Sequence, residues 1–182
     1  MNNDIEKILL SQEQIETRVK ELGAQISQDY VGKNPLLISV LKGSIIFLSD
    51  LLRHMTIPCT FDLMTVSSYG KKTKSSGSVK LVMDLKQDVA GQHIIIIEDI
   101  FDTGKTIYYI LEHIKLRNPA SAKTCVLLNK QCPHEMNIQL DYIGFDIPNE
   151  FVVGYGLDFG ELYRNLPYVC VLKPQIYQKQ ST

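Results

Sequence analysis

The stretch His93–Thr106, HIIIIEDIFDTGKT, decides how the rest of the chain is read. Its first half, Ile94 to Ile97, is an unbroken β-branched run, the composition of a strand buried on both faces in the middle of a parallel sheet. The run ends on two carboxylates, Glu98 and Asp99, and continues into Asp102-Thr103-Gly104-Lys105-Thr106. Apolar residues then recur at Ile107, Ile110, Leu111 and Ile114, which is helical spacing. The order is therefore strand, short polar turn, helix.

Such a turn lies at the carboxyl end of a parallel strand, where open α/β sheets place their ligands. The N–H groups of Thr103 to Thr106 have no partner one turn back, and with the helix dipole they form an anion site. The hydroxyls of Thr103 and Thr106 add donors, and Gly104 lets the backbone approach closely. Carboxylates repel a phosphate, so the neighbouring acids imply a ligand that also carries hydroxyls or a divalent cation. A nucleotide P-loop, G-x-x-x-x-G-K-[ST], fails here because its first glycine falls on Asp99. An ordinary helix cap on Asp102 is the plainer alternative, but it leaves two acids at the mouth of a buried strand without a task.

EDIFDTGKT resembles the signature of the type I phosphoribosyltransferases, and Asp102 within it resembles the hypoxanthine-guanine branch. The resemblance implies that the backbone of Thr103, Gly104, Lys105 and Thr106 holds a 5′-phosphate. It also implies that Glu98 and Asp99 lie near the ribose hydroxyls and a magnesium ion. Consecutive strand residues face opposite ways, so these two acids are not expected to do identical work.

Outward from this centre, Ser11 and Gln14 form a capping box ahead of the stripe Ile15, Val19, Leu22 and Ile26, an amphipathic helix lying over the sheet. Leu36 to Leu41 reads as a buried strand, followed by Lys42-Gly43-Ser44 and a helix to about Met55. That repeats the strand–turn–helix pattern and offers a second anion site. Leu41-Lys42-Gly43 matches the family's pyrophosphate loop, in which a cis peptide often precedes the lysine. Thr60 to Ser67 and Val79 to Met83 are strands around a polar, lysine-bearing segment. The plain reading of that segment is a solvated hairpin tip; Ser68-Tyr69 matches the start of the family's lid over an anionic substrate.

Lys123 to Leu128 is another buried strand, ending in Asn129-Lys130. The resemblance makes Lys130 the donor to a purine 6-oxo group. A short strand follows at Tyr142 to Phe145. Phe151 to Phe159, FVVGYGLDF, reads by itself as a strand with two glycines and an acid. Matched to the family it becomes the base pocket: Phe151 stacks on the purine, the Val152 backbone reads its edge, and Asp158 holds magnesium. Arg164 matches the arginine that grips pyrophosphate. The family usually has alanine where this chain has Gly156.

The chain has 182 residues, 45% of them hydrophobic, ample for a core and in the range of soluble globular proteins. The net charge of −1 gives no basic field for nucleic acid. Cys59, Cys125, Cys132 and Cys170 show no C-x-x-C pairing and read as reduced packing residues of a cytoplasmic protein. No secretory leader or membrane-length apolar run is visible, and the four histidines are scattered without metal spacing.

The expected fold is thus α/β: one phosphoribosyltransferase domain over 1–182, its parallel sheet flanked by helices. Its core would span about 30–140, with a hood from the N-terminal segment and about 141–172. The resemblance implies transfer of a phosphoribosyl group from phosphoribosyl pyrophosphate to hypoxanthine or guanine, with pyrophosphate released and Asp102 as the base. Neither nucleic acid nor membrane is an expected partner, and a homodimer or homotetramer is. A xanthine-preferring enzyme and a phosphoribosyl-pyrophosphate-sensing nucleic-acid-binding regulator are the rival readings.

Overall fold

The computed structural model describes residues 2–68 and 79–177. Six strands form the larger sheet: β2 (Leu36–Leu41), β3 (Thr60–Ser68), β4 (Val79–Met83), β5 (His93–Phe101), β6 (Ser121–Gln131) and β7 (Tyr142–Pro148). Their order is β4-β3-β2-β5-β6-β7, all neighbours parallel except the β3–β4 pair. The isoleucine run sits at the centre, with Ile94 to Ile97 completely buried between β2 and β6.

The period of two along the strands divides the core. Leu37, Ile95, Ile97, Cys125 and Leu127 face α1 (Gln12–Asp29) and α2 (Ile45–His54). Leu36, Ile38, Ile94, Ile96 and Val126 face α3 (Lys105–Lys115), through Ile107, Ile110, Leu111 and Ile114. The expected capping box opens α1: Ser11 Oγ accepts from the Gln14 N–H at 3.3 Å, and Gln14 Oε1 accepts from the Ser11 N–H at 2.8 Å. Met1 aside, the chain begins with a 3₁₀ turn and β1 (Ile5–Leu10), which pairs with β9 (Val169–Leu172). With β8 (Val152–Val153), these make a second, three-stranded antiparallel sheet.

The helix α1 packs on the large sheet, as its apolar stripe predicts, and β7 is hydrogen-bonded to β6 as that sheet's edge. The small layer is β1, β8 and β9, with Val153, Tyr163, Leu166, Cys170 and Leu172 as its core. One expectation is corrected: the segment 151–159 is not one strand. β8 stops at Val153, since Gly154, Tyr155 and Gly156 all take positive φ (96°, 48° and 101°), a conformation no extended ladder admits. That turn carries Asp158 and Arg164 back over the carboxyl ends of β2 and β5, where they border a cavity with Leu41 and Asp99.

Candidate active site

β5 does not end at Ile97 as its apolar run suggests; Glu98 and Asp99 lie within the strand, Glu98 pairing with Val126, and the strand continues to Phe101. The turn that follows has Gly104 at φ 84° as the N-cap of α3, so Asp102 is not the cap and no side chain closes the helix. A Cβ at Gly104 would stand 3.0 Å from the Phe101 ring and 3.3 Å from Met136 Cβ, so a larger residue at this left-handed position would be strained and tightly packed. The first-turn N–H groups therefore open on a cavity of about 150 Å³ bordered by Glu98, Asp102, Thr103, Gly104 and Thr106.

Beside it lies a second cavity of about 240 Å³, bordered by Leu41, Lys42, Gly43, Glu98, Asp99, Thr106, Asp158 and Arg164. Glu98 and Thr106 line both, so the two cavities are neighbours. The peptide between Leu41 and Lys42 is cis. Gly43 is required by its neighbour: a Cβ there would lie 1.6 Å from Asp99 Oδ2. Gly156 is equally constrained, since a Cβ would lie 2.0 Å from the Gly43 carbonyl oxygen. The glycine that departs from the usual alanine thus lets the 154–157 turn pack against the 42–44 loop.

The electrostatics of the second cavity are unbalanced in a way that calls for a ligand. Burial, reinforced by Asp99, pushes the Glu98 carboxyl well above its ordinary range, and Glu98 Oε2 is buried with no hydrogen-bond partner. Burial also pushes Asp99 up to about 6, opposed by the Ile100 N–H, which donates to Oδ1 at 2.8 Å, and by Arg164. Arg164 donates to the Gly156 carbonyl at 2.8 Å and pairs with Asp158 at 2.8 Å, while its Nε is buried and unpaired. Unsatisfied buried groups of opposite character facing one space are costly unless something polar fills it.

Among the described residues, no three acidic, histidine or cysteine side chains converge as a metal cage. Glu98, Asp99 and Asp158, the acids expected near a magnesium ion, all border the second cavity. All-oxygen donors on one wall suit magnesium, which is commonly held by one or two carboxylates together with substrate oxygens and water.

Around Asp102 the structure assembles more than the sequence announced. Lys130 Nζ lies 3.4 Å from Asp102 Oδ2, as β6 runs alongside β5 to this level. Cys132 Sγ lies 3.4 Å from Asp102 Oδ1, and His134 Nδ1 is 2.6 Å from the Asp102 carbonyl oxygen, its ring 4.6 Å from that of Phe101. Cys132 is thus no packing residue. The segment after β6 also covers the turn, with Glu135 and Met136 N–H groups donating to the Thr103 carbonyl at 3.1 and 3.4 Å. Lys105 is drawn out of the cavities by Glu135, at 2.8 Å, so it contributes its backbone alone.

Phe151 is half-exposed and meets Phe159 edge-on at 5.8 Å, while Val152 is buried in β8; neither borders the two cavities. Ser68 ends β3, and Tyr69 with the lysine-bearing segment lies outside the described residues. Glu161, unmarked in the sequence, pairs with two cations that border the second cavity: Lys42 at 2.9 Å and Arg164 at 3.4 Å. Its spacing of three from Asp158 and from Arg164 was the available signal, but only the folded turn gives that spacing meaning.

A helix N-terminus without a side-chain cap beside two buried acids, at the carboxyl end of a parallel strand, makes a site for a phosphate-bearing ligand that also offers hydroxyls. The chain belongs to the phosphoribosyl transferase domain family, which it matches over residues 7–160. It is 48% identical over 178 residues to the hypoxanthine-guanine phosphoribosyltransferase of Bacillus subtilis, covering 98% of this chain and 99% of that one. It is 47% identical to the bifunctional protein TilS/HprT of Listeria monocytogenes, where the match covers 98% of this chain and spans 28% of that protein's length. A crystal structure of a hypoxanthine phosphoribosyltransferase from Staphylococcus aureus superposes with a TM-score of 0.93 at 44% identity, over 97% of this chain and 96% of that one.

Proposed function

We propose that this chain transfers the 5-phosphoribosyl group from phosphoribosyl pyrophosphate to hypoxanthine or guanine, yielding IMP or GMP and pyrophosphate, in purine salvage. The observation that carries the reading is the adjacency of the two cavities. A helix-terminus anion site opens on one, Lys42 and Arg164 stand on the other, buried Glu98 lines both and buried Asp99 lines the second. That order suits a molecule with phosphate at one end, diphosphate at the other and a ribose between.

In this reading the Thr103 to Thr106 backbone and the threonine hydroxyls hold the 5′-phosphate. Glu98, whose carboxyl burial pushes well above its ordinary range, and Asp99 hydrogen-bond the ribose hydroxyls. Lys42 and Arg164 take the pyrophosphate, with the Leu41–Gly43 backbone shaping its pocket. As the C1′–O bond breaks, the ribose gains positive character and the two cations stabilise the departing charge. Asp102 accepts the proton from purine N7 while N9 bonds to C1′. Lys130, next to Asp102, donates to the 6-oxo group; Phe151 stacks on the base, the Val152 backbone reads its edge, and Ser68-Tyr69 opens the lid. Magnesium, held by Asp158 with support from Glu98 or Asp99 and by substrate oxygens, would neutralise the diphosphate. Self-association as a homodimer or homotetramer and a cytoplasmic location belong to the same reading. No helix among the described residues is long and apolar enough to cross a membrane.

The test is a panel of free bases incubated with phosphoribosyl pyrophosphate and magnesium, followed for nucleotide. Hypoxanthine and guanine are expected to react and adenine is not. Asp102→Asn is expected to retain base binding while kcat falls by roughly 10²–10⁴-fold, the contribution of a positioned base. A kcat near wild type would remove Asp102 from that role.

A further inference from the structure

Glu161 occupies the two cations on which the proposed pyrophosphate site depends. Its Oε2 lies 2.9 Å from Lys42 Nζ and its Oε1 lies 3.4 Å from an Arg164 guanidinium nitrogen. One carboxylate therefore spans both groups, as two oxygens of a diphosphate would. The residue is held in place by its own backbone: Glu161 sits at φ 67°, after Gly160 at φ 60°, and its N–H donates to Asp158 Oδ2 at 2.9 Å. Phe159 and Leu162 close the turn with reciprocal backbone hydrogen bonds of 3.2 Å. The tip is thus a tight loop whose side chain reaches back over the cavity mouth.

We infer that Glu161 is an internal stand-in for pyrophosphate, a positioning residue that holds Lys42 and Arg164 when the site is free and competes with pyrophosphate for them. The inference rests on the reading of the reaction given above and goes beyond it, because it assigns a role to a residue that need not touch the reacting atoms. The energetics suit a competitor rather than a permanent clamp. Glu161 and Lys42 side chains are 64% and 66% exposed, so their bridge is solvated and easily exchanged. Arg164 is better shielded at 24% and keeps Asp158 as a second partner, so it stays oriented when Glu161 leaves. A bound diphosphate carries more charge than a carboxylate and displaces it; after transfer, the returning carboxylate helps to release the product.

Competition and productive positioning predict opposite signs for Glu161→Gln. If Glu161 competes, the variant binds inorganic pyrophosphate with magnesium about three- to ten-fold more tightly, the range that two largely exposed ion pairs span. Calorimetric titration reads this directly. KM for phosphoribosyl pyrophosphate falls by a similar factor, KM for hypoxanthine is unchanged, and the difference shrinks in high salt. Glu112→Gln, which removes one negative charge from the distant exposed pair with Lys115, serves as the control and changes neither constant. Glu161→Ala is the second variant, and thermal unfolding confirms that both are folded. Unchanged or weaker pyrophosphate binding in both Glu161 variants overturns the inference, as does an equal gain in Glu112→Gln. If the wild type transfers no phosphoribosyl group, the reading of the reaction falls and this inference with it. If it does transfer and the variants show no gain, the inference alone falls.

Discussion

Replacing Gly43 by alanine tests the packing that joins the loop after β2 to the acid on β5. The backbone at Gly43 is not in the left-handed region, so alanine meets no conformational penalty and gains a few tenths to about 1 kcal/mol from a stiffer unfolded chain. Against that gain stands contact. The new Cβ would lie 1.6 Å from Asp99 Oδ2 and 2.7 Å from its Cγ, so the buried carboxylate must turn toward the cavity it borders. Overpacking of this kind costs about 1–3 kcal/mol. Turning the carboxylate away also breaks its 2.8 Å bond from the Ile100 N–H, a bond to a charged group. Such a bond contributes about 1.5–3 kcal/mol, so the net loss is about 2–5 kcal/mol. For a chain of this size that lowers Tm by roughly 5–15 °C. Gly32→Ala separates the causes: with φ 74° and nothing within 4 Å, it carries backbone strain without contact. Its expected loss is about 1 kcal/mol, or roughly 2–4 °C. Calorimetry on both variants decides the matter, and KM for phosphoribosyl pyrophosphate in Gly43→Ala should rise as Asp99 is displaced. A Gly43→Ala protein that melts no lower than Gly32→Ala would refute the argument.

Asp62 anchors the loop after β4, accepting from the N–H groups of Leu63, Lys86 and Gln87 at 2.8, 2.7 and 3.0 Å. Burial raises its pKa, but the N–H groups of Gln87, Leu63 and Lys86 together outweigh it and hold the carboxyl below its ordinary value. Its stabilising contribution is therefore full above the unfolded value of about 3.9 and is lost as pH falls through the lower folded value. Asp62→Asn, which sets an amide against at least one of those donors, should cost about 1–3 kcal/mol at neutral pH and flatten the acid limb of a stability–pH curve. An unchanged acid limb in urea titrations would contradict this. Lys130→Met should reduce the preference for hypoxanthine over adenine by at least about ten-fold, since a lost donor to the oxo group is worth that much or more. Equal discrimination by variant and wild type, measured as kcat/KM on each base, would take Lys130 out of base recognition.

The sequence by itself determined the elements whose signals are local. The run Ile94–Ile97 could only be a buried strand, the stripe from Ile107 to Ile114 only a helix packed on it, and the Ser11–Gln14 box only a helix start; each is found where expected. These follow from side-chain shape and period, which act over a few residues. The turn after β5 was legible for the same reason, since its glycine and threonines are adjacent in the chain, although only the fold shows that Gly104, and not Asp102, caps α3. What tertiary structure alone decided is whatever depends on partners far apart. β7 joined the large sheet because β6 offered it an edge. The 154–156 segment left the strand conformation because Gly156 had to pass the carbonyl of Gly43, more than a hundred residues earlier in the chain. Cys132 against Asp102, and Glu161 across Lys42 and Arg164, arise likewise from strands and turns that meet only in the folded chain. Local preference is written in neighbouring residues, whereas the charge and space around a site are set by whichever distant atoms the fold brings there.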